Sequence, residues 1–214
     1  MKVGTDAVLL GSWTTCEKSN RILDVGCGTG LLTLMLAQRN LTSSITGIEI
    51  DEIAAIEAQL NINNSVWKDR IHIINTSFQN FKTKIKFDLI VSNPPFFPSN
   101  NSDKRRDIAR HTNTLNFQEL IYTTVMLLSE NGIFSIIIPK HSESYFCEIA
   151  TAYDLHCNRV CDIKGNENTE VKRVLMEFSF SKSKIKEDHL IIEKSRHQYT
   201  IEYINLCKDF YLEM

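Results

Sequence analysis

The run Ser92-Asn93-Pro94-Pro95-Phe96-Phe97 combines residue types that can do chemistry at a fixed point. It follows Phe87-Asp88-Leu89-Ile90-Val91, whose length and branching are those of a buried strand. A strand that runs into Asn-Pro-Pro cannot continue its ladder. Neither proline has an N–H to donate, and each restricts the residue before it. The chain is therefore stiff where it leaves the sheet. A stiff turn can aim the Asn93 side chain and the Pro94 carbonyl at one place, with the flat face of Phe96 nearby. That set suits a planar amino group, with two acceptors for its two hydrogens and a ring to stack on the attached base. Asn-Pro alone would be read as a rigid turn with an aromatic core plug. The second proline, the aromatic residue and a glycine motif upstream favour a site, with Asn93, Pro94, Pro95 and Phe96 as its catalytic turn.

The upstream motif is Leu23-Asp24-Val25-Gly26-Cys27-Gly28-Thr29-Gly30. Glycines at a strand end let backbone approach a ligand closely and lead into a helix N-terminus. The spacing Gly-x-Gly-x-Gly differs from the Gly-x-Gly-x-x-Gly of dinucleotide sites, which disfavours a nicotinamide dehydrogenase. About twenty residues on, Ile48-Glu49-Ile50-Asp51 ends another apolar run. Glu49 is read as an acceptor for two ribose hydroxyls, and Asp51 as a helix cap.

These positions need elements to hold them, and the pattern supplies strands and helices in alternation. Strands are expected at 21–25, 44–50, 71–75, 87–92 and 133–138, and helices at 7–13, 31–39, 51–63 and 116–128. Asn116 with Glu119 reads as a capping box, and Asn131-Gly132 as the stop of that helix. A helix near 142–152 and strands near 155–163 and 171–180 follow. The turn Gly165-Asn166-Glu167-Asn168 makes the last two a candidate antiparallel hairpin. Helical spacing returns over 200–211, while 97–113 is polar and irregular. Alternation of this kind implies an α/β fold with a mostly parallel sheet covered on both faces, and ligands beyond the carboxyl ends of its strands.

The chain has 214 residues, 43% hydrophobic and 23% charged, as expected of one globular domain spanning 1–214. Its net charge of −2 argues against coating nucleic acid along the whole surface, and leaves room for local basic patches. Three runs qualify: Lys104-Arg105-Arg106 with Arg110 and His111, Lys172-Arg173, and the lysines from Lys182 to Lys186. Cys16, Cys27, Cys147, Cys157, Cys161 and Cys207 lack paired spacing. Reduced thiols in a cytoplasmic protein without metal are expected. No apolar run reaches the length of a membrane span and no signal peptide is visible.

The glycine loop, Glu49 and the Asn-Pro-Pro-Phe turn together resemble class I S-adenosylmethionine-dependent methyltransferases of the kind that methylate planar amino groups. The resemblance implies a Rossmann-like fold with a seven-stranded, mostly parallel sheet and a C-terminal antiparallel hairpin. It implies S-adenosylmethionine as cofactor, held by Asp24, Gly26, Cys27, Gly28, Gly30 and Glu49, with Asn93 adjoining it. A narrower likeness is carried by Lys2-Val3-Gly4-Thr5-Asp6-Ala7-Val8-Leu9-Leu10-Gly11, by Asn-Pro-Pro-Phe-Phe, by Ala109-Arg110-His111 before Leu115-Asn116-Phe117, by Lys172-Arg173-Val174-Leu175, and by Asp209-Phe210-Tyr211-Leu212. These are similar to the tRNA(Val) adenine-N6 methyltransferases, which modify the adenosine just 3′ of the anticodon. On that likeness Thr5 and Asp6 close over the methionine end of the cofactor; from the residues alone, either could equally cap the helix at 7–13. The Gly4-Thr5-Asp6 motif usually lies further inside such proteins, so an upstream segment is expected to be missing here. Many relatives carry an acid where this chain has Asn75-Thr76-Ser77-Phe78. Ser77 can hydrogen-bond the cofactor adenine without charge, and Phe78 either packs on the adenine face or fills the core.

The reaction implied is direct methyl transfer to an exocyclic nitrogen of tRNA by a monomeric enzyme. Phe96 and Phe97 would hold the flipped base, and Arg105, Arg106, Arg110, His111, Lys172 and Arg173 the RNA backbone. Two other readings remain open: the same chemistry on a release-factor glutamine or DNA adenine, and a non-catalytic module that keeps the fold. Acceptor assays separate the first, and cofactor binding the second.

Overall fold

The structure is a computed structural model and describes residues 4–95 and 116–212. Its layout follows from apolar residues alternating along the strands. On β1 (Arg21–Val25) Ile22 enters one core, while Leu23 and Val25 enter another. On β4 (Phe87–Ser92) Leu89 and Val91 join the first and Ile90 the second. With period two, a strand apolar at every position must be covered on both faces.

Helices supply the cover. The first face carries α1 (Thr5–Trp13), α2 (Leu31–Arg39), α3 (Glu52–Asn63) and α6 (Ile201–Cys207), through Leu9, Leu36, Ile62 and Tyr203 among others. The second carries α4 (Phe117–Leu127) and α5 (Glu143–Ala152), whose Leu120 and Phe146 pack with Phe134 and Phe178. Phe134, Phe146 and Phe178 form a mutual ring cluster with centroids 5.6–6.3 Å apart.

The remaining strands are β2 (Ser44–Glu49), β3 (Ile71–Asn75), β5 (Leu128–Pro139), β6 (His156–Lys164), β7 (Val171–Ser179) and β8 (Lys186–Ile191). They form one sheet in the order β3-β2-β1-β4-β5-β7-β6-β8. The first five run parallel; β7 is antiparallel to β5 and β6, and β8 lies parallel to β6. The parallel core and the β6–β7 hairpin are those expected, but among the described residues the sheet has eight strands rather than seven. The additional β8 begins Lys-Glu-Asp-His, with its first four residues exposed. Charge on an edge strand is a protection against pairing with another chain, and here it hides the strand in the sequence. A short hairpin, β9 (Glu193–Ser195) with β10 (Gln198–Tyr199), follows.

Two boundaries differ from the sequence pattern. β5 starts at Leu128, so Asn131-Gly132 does not stop a helix. The register with β4 jumps from Phe87–Leu128 to Leu89–Ile133, which makes the segment a bulge. A Cβ at Gly132 would lie 2.7 Å from Leu128 Cδ1 and 3.0 Å from the Phe87 carbonyl, so the bulge requires glycine. At the other end of the chain the helix expected over 200–211 is α6 followed by a 3₁₀ turn, Lys208–Phe210, with the Thr200 side chain as cap. The capping box of Asn116 and Glu119 on α4 is present as read. Among the described residues, no helix is long and apolar enough to cross a membrane.

Candidate active site

The carboxyl ends of four parallel strands stand side by side. Val25 lies opposite both Ile48 and Ser92, and Glu49 opposite Asn75. The glycine loop after β1 therefore sits between Glu49 on one side and Asn93-Pro94 on the other. Chain order reverses at this place, because β1 is flanked by β2 and β4. Such a switch point opens a crevice above the sheet.

The loop is built for a ligand. Gly26, Gly28 and Gly30 have φ of 72°, 56° and 86°, a region that side chains disfavour. Among the described residues a Cβ at Gly26 would meet nothing within 4 Å, so this turn borders open space there. The Gly26 and Cys27 amides donate to the Ile48 carbonyl at 2.9 and 3.0 Å, which folds the loop over β2. Asn61 Nδ2 donates to the Thr29 carbonyl at 2.9 Å and fixes the loop from α3. Cys27 is buried and its thiol faces β2: a Cβ on Gly47 would lie 3.0 Å from Cys27 Sγ. Burial, with Asp24 and Glu49 nearby, pushes the thiol strongly upward in pKa. Cys27 therefore offers a ligand its backbone, not a nucleophile.

Glu49 is 9% exposed, and its carboxylate is preset by the backbone. Oε2 accepts from the Gly28 amide at 2.8 Å and Oε1 from the Asp51 amide at 2.9 Å. Each oxygen keeps a further acceptor direction, which suits a pair of ribose hydroxyls. Asp51 caps α3, accepting from the Ala54 amide at 2.9 Å. Asp24 is wholly buried at the foot of the loop. Its Oδ2 accepts from Thr33 Oγ1 at 2.6 Å, while Oδ1 has no partner among the described residues. Burial raises its pKa to about 7; the Thr33 hydroxyl opposes the shift and the Glu49 charge adds to it. An orphaned buried acceptor and the open space at Gly26 fit the cationic, nucleoside-bearing cofactor that the sequence implies.

The Asn93 turn leaves β4 beside this loop. Ser92 Oγ donates to the Val25 carbonyl at 3.1 Å and ties the two strand tips together. Asn93 is half-buried, Pro94 buried and Pro95 exposed. Phe96, Phe97, Arg105, Arg106, Arg110 and His111 lie outside the described residues, as does the irregular stretch 97–113. Ser77 is half-buried at the tip of β3, next to the Thr76 amide that donates to the Glu49 carbonyl at 2.9 Å. Phe78 is 4% exposed and packs in the second core with Val25 and Ile48. This burial is what the core-filling reading of Phe78 expects.

Of the two readings of Thr5 and Asp6, the helix cap is not what forms: α1 begins at Thr5, its N-cap is Gly4, and no side chain among the described residues caps it. Thr5 is exposed. Asp6 Oδ2 instead accepts from Arg173 Nε at 2.8 Å. Arg173 lies opposite Pro139 and Ile163, so it stands on the same carboxyl edge as the glycine loop. Exposed Lys172 is there as well, whereas Lys182 and Lys184 precede β8 and Lys186 opens it, at the opposite edge. Of the candidate basic patches, this third one faces away from the site.

Sequence reasoning missed the supports of the site: Thr33 under Asp24, Asn61 on the loop, Ser92 between strand tips, and Asn75, whose Nδ2 donates to the Glu49 carbonyl at 2.9 Å. It also missed Gly47, an isolated glycine inside a strand. That is a recognised sign of close backbone approach.

A glycine loop at the switch point of such a sheet, with an Asn-Pro-Pro turn beside it, defines a methyltransferase. The model of the methyltransferase small domain family matches residues 3–154. Among solved structures, a predicted O-methyltransferase from Agrobacterium tumefaciens superposes with a TM-score of 0.75 at 19% identity, over 95% of this chain and 96% of that one. The glycopeptide N-methyltransferase MtfA, complexed with S-adenosylmethionine, gives 0.63 at 11% identity, over 83% and 94%. These two share the fold. Over 100% of its length the chain is 45% identical to a tRNA1(Val) (adenine(37)-N6)-methyltransferase of Flavobacterium psychrophilum, covering 94% of that protein. Against the enzyme of the same name from Bacteroides fragilis the identity is 44%, over 100% and 92%. The chain belongs to this family of tRNA adenine-N6 methyltransferases.

Proposed function

We propose that this chain transfers the methyl group of S-adenosylmethionine to the exocyclic N6 of adenosine 37 in a valine tRNA. The observation that carries the reading is the register of β1 with β4. Val25 opposite Ser92 sets the Asn93-Pro94 turn beside an open glycine loop. The names of full-length relatives supply the acceptor.

When bound, S-adenosylmethionine supplies an electrophilic methyl group on a sulfonium, so the reaction needs no nucleophilic side chain. The work left to the chain is orientation and charge stabilisation. Asn93 Oδ1 and the Pro94 carbonyl accept the two N–H bonds of the target amine. That directs its lone pair and offsets the positive charge developing on nitrogen, which then loses one proton to solvent, with S-adenosylhomocysteine as the other product. Pro94 and Pro95 hold those acceptors rigid. Glu49 takes the ribose hydroxyls while the Gly28 and Asp51 amides keep its carboxylate still, and Asp24 Oδ1 is the free acceptor for an ammonium. Ser77 borders the adenine end. On sequence grounds Phe96 and Phe97 stack on the flipped base, and Arg105, Arg106, Arg110 and His111 grip RNA phosphates.

Transfer of labelled methyl from S-adenosylmethionine to unmodified total tRNA, followed by nucleoside analysis, tests this. N6-methyladenosine in a valine tRNA is expected. Label in a release factor or in DNA, with none in tRNA, would overturn the acceptor. Failure to bind S-adenosylmethionine in calorimetry would overturn the reaction.

A further inference from the structure

The β9–β10 hairpin stands on the same edge of the sheet as the active site, and its tip is basic. The Ile192 amide donates to the Lys164 carbonyl at 3.0 Å and the Glu193 amide to the Gly165 carbonyl at 2.9 Å. The hairpin therefore starts from the carboxyl end of β6, level with the β6–β7 turn. Its base is closed by the Thr200 amide on the Ile192 carbonyl at 3.0 Å. Tyr199 packs on Tyr203 of α6, with ring centroids 5.2 Å apart. At the tip Ser195 Oγ donates to Gln198 Oε1 at 2.8 Å, and His197 holds a φ of 62°. Lys194, Arg196 and His197 are exposed.

Charge on this edge is unevenly committed. Lys140 is neutralised by Glu143 at 2.6 Å and Asp162 at 2.7 Å, and Arg173 pairs with Asp6. Among the described residues, Lys164, Lys172, Lys194 and Arg196 have no ion-pair partner. The acids nearby are Glu167 and Glu170 in the β6–β7 turn and Glu193, whose Oε1 accepts from the His197 amide at 3.4 Å. From β4, which leads into Asn93, to β8 there are four interstrand steps. At ~4.8 Å each, the hairpin starts about 19 Å from the catalytic turn. That is beyond the reach of a flipped nucleotide and within reach of the stem that carries its loop.

We infer that the β9–β10 hairpin, with Lys194 and Arg196 at its tip and Lys164 and Lys172 at its foot, binds the phosphate backbone of the RNA stem adjoining the target loop. This rests on the tRNA reading above. The hairpin sets how the RNA enters, while the Asn93 turn acts on the base. Backbone contacts position without reading sequence. Phosphate contact by two side chains contributes a salt dependence of about one unit each to the logarithm of affinity.

The test compares the Lys194→Ala/Arg196→Ala double variant with Lys182→Ala/Lys184→Ala on the opposite edge. Each is measured by anisotropy and by methyl transfer on two RNAs: whole tRNA and a single-stranded oligonucleotide of the anticodon loop alone. The hairpin variant should bind whole tRNA about tenfold more weakly, with the salt slope reduced by about two. It should keep wild-type kcat on tRNA, wild-type affinity for S-adenosylmethionine and wild-type behaviour on the loop oligonucleotide. The opposite-edge variant should match wild type throughout. Unchanged tRNA affinity in the hairpin variant, or equal loss on both RNAs, overturns the anchor while leaving the enzymatic reading intact. A wild-type protein that binds no tRNA overturns both.

Discussion

Arg173 Nε donates to the Asp6 carboxylate at 2.8 Å, joining two residues 167 positions apart at the carboxyl edge of the sheet. The pair clamps the first turn of α1 to the start of β7, beside the end of β5. It links one residue expected at the cofactor to one expected at the RNA. Both side chains are about two-thirds buried or more. A double-mutant cycle with Asp6→Asn and Arg173→Gln should therefore return a coupling of about 0.5–1 kcal/mol in urea unfolding. Both single variants should also weaken S-adenosylmethionine binding in calorimetry, since they release the start of α1. Additive unfolding energies would mean that the contact does not hold α1.

Asn93 carries the chemistry if the proposed mechanism holds. Asn93→Ala should keep S-adenosylmethionine affinity within a small factor and lower turnover on tRNA on the order of 10²-fold or more, as for loss of one preorganised transition-state hydrogen bond. Asn93→Asp keeps an acceptor and changes its charge, so it should retain more activity than Ala. Near wild-type turnover in the Ala variant would sink the mechanism.

The buried Asp24 predicts a pH signature. Burial pushes its pKa up to about 7 in the folded chain, against an ordinary value of 3.8. Between those values the folded state holds more protons than the unfolded one, so this group makes stability fall as pH rises from about 4 to 7. Above 7 the cost is present in full. Asp24→Asn removes the titration and leaves an oxygen for the Thr33 hydroxyl. Relative to wild type, the melting temperature of Asp24→Asn should rise by several degrees from pH 5 to pH 8, at ~2–4 °C per kcal/mol for a domain of this size. A difference independent of pH would show that Asp24 titrates normally.

Much of the site was legible because its chemistry is local in sequence. The glycine loop, Glu49, Asp51 and the Asn-Pro-Pro turn each declare themselves within a few residues of a strand end. Their adjacency follows from one rule about switch points. What could not be read depends on distant partners. Nothing within reach of Asp6 in sequence signals Arg173, and a buried Phe78 and a stacking Phe78 look alike until the core around them is known. Strand β8 was hidden for another reason: its exposed charges are those of a loop. Asn131-Gly132 misled because the same dipeptide that stops a helix also suits a bulge.

Gly47 is one of the supports that sequence reasoning passed over, and it can be tested against the loop above it. It lies opposite Asp24 on β1 and Ile73 on β3, with the Cys27 thiol over its missing side chain. An added Cβ would lie 2.6 Å from Ile73 Cδ1 and 3.0 Å from Cys27 Sγ. Ile73 can rotate its terminal methyl away, but Cys27 belongs to a loop fixed through two amides on Ile48. Gly47→Ala should then cost about 1–3 kcal/mol, as overpacking does, and lower S-adenosylmethionine affinity by displacing the loop. Adding Cys27→Gly to it removes the thiol in the way and should restore part of both losses, giving a non-additive cycle. Additive losses would place the strain at Ile73 alone and leave the loop independent of the strand beneath it.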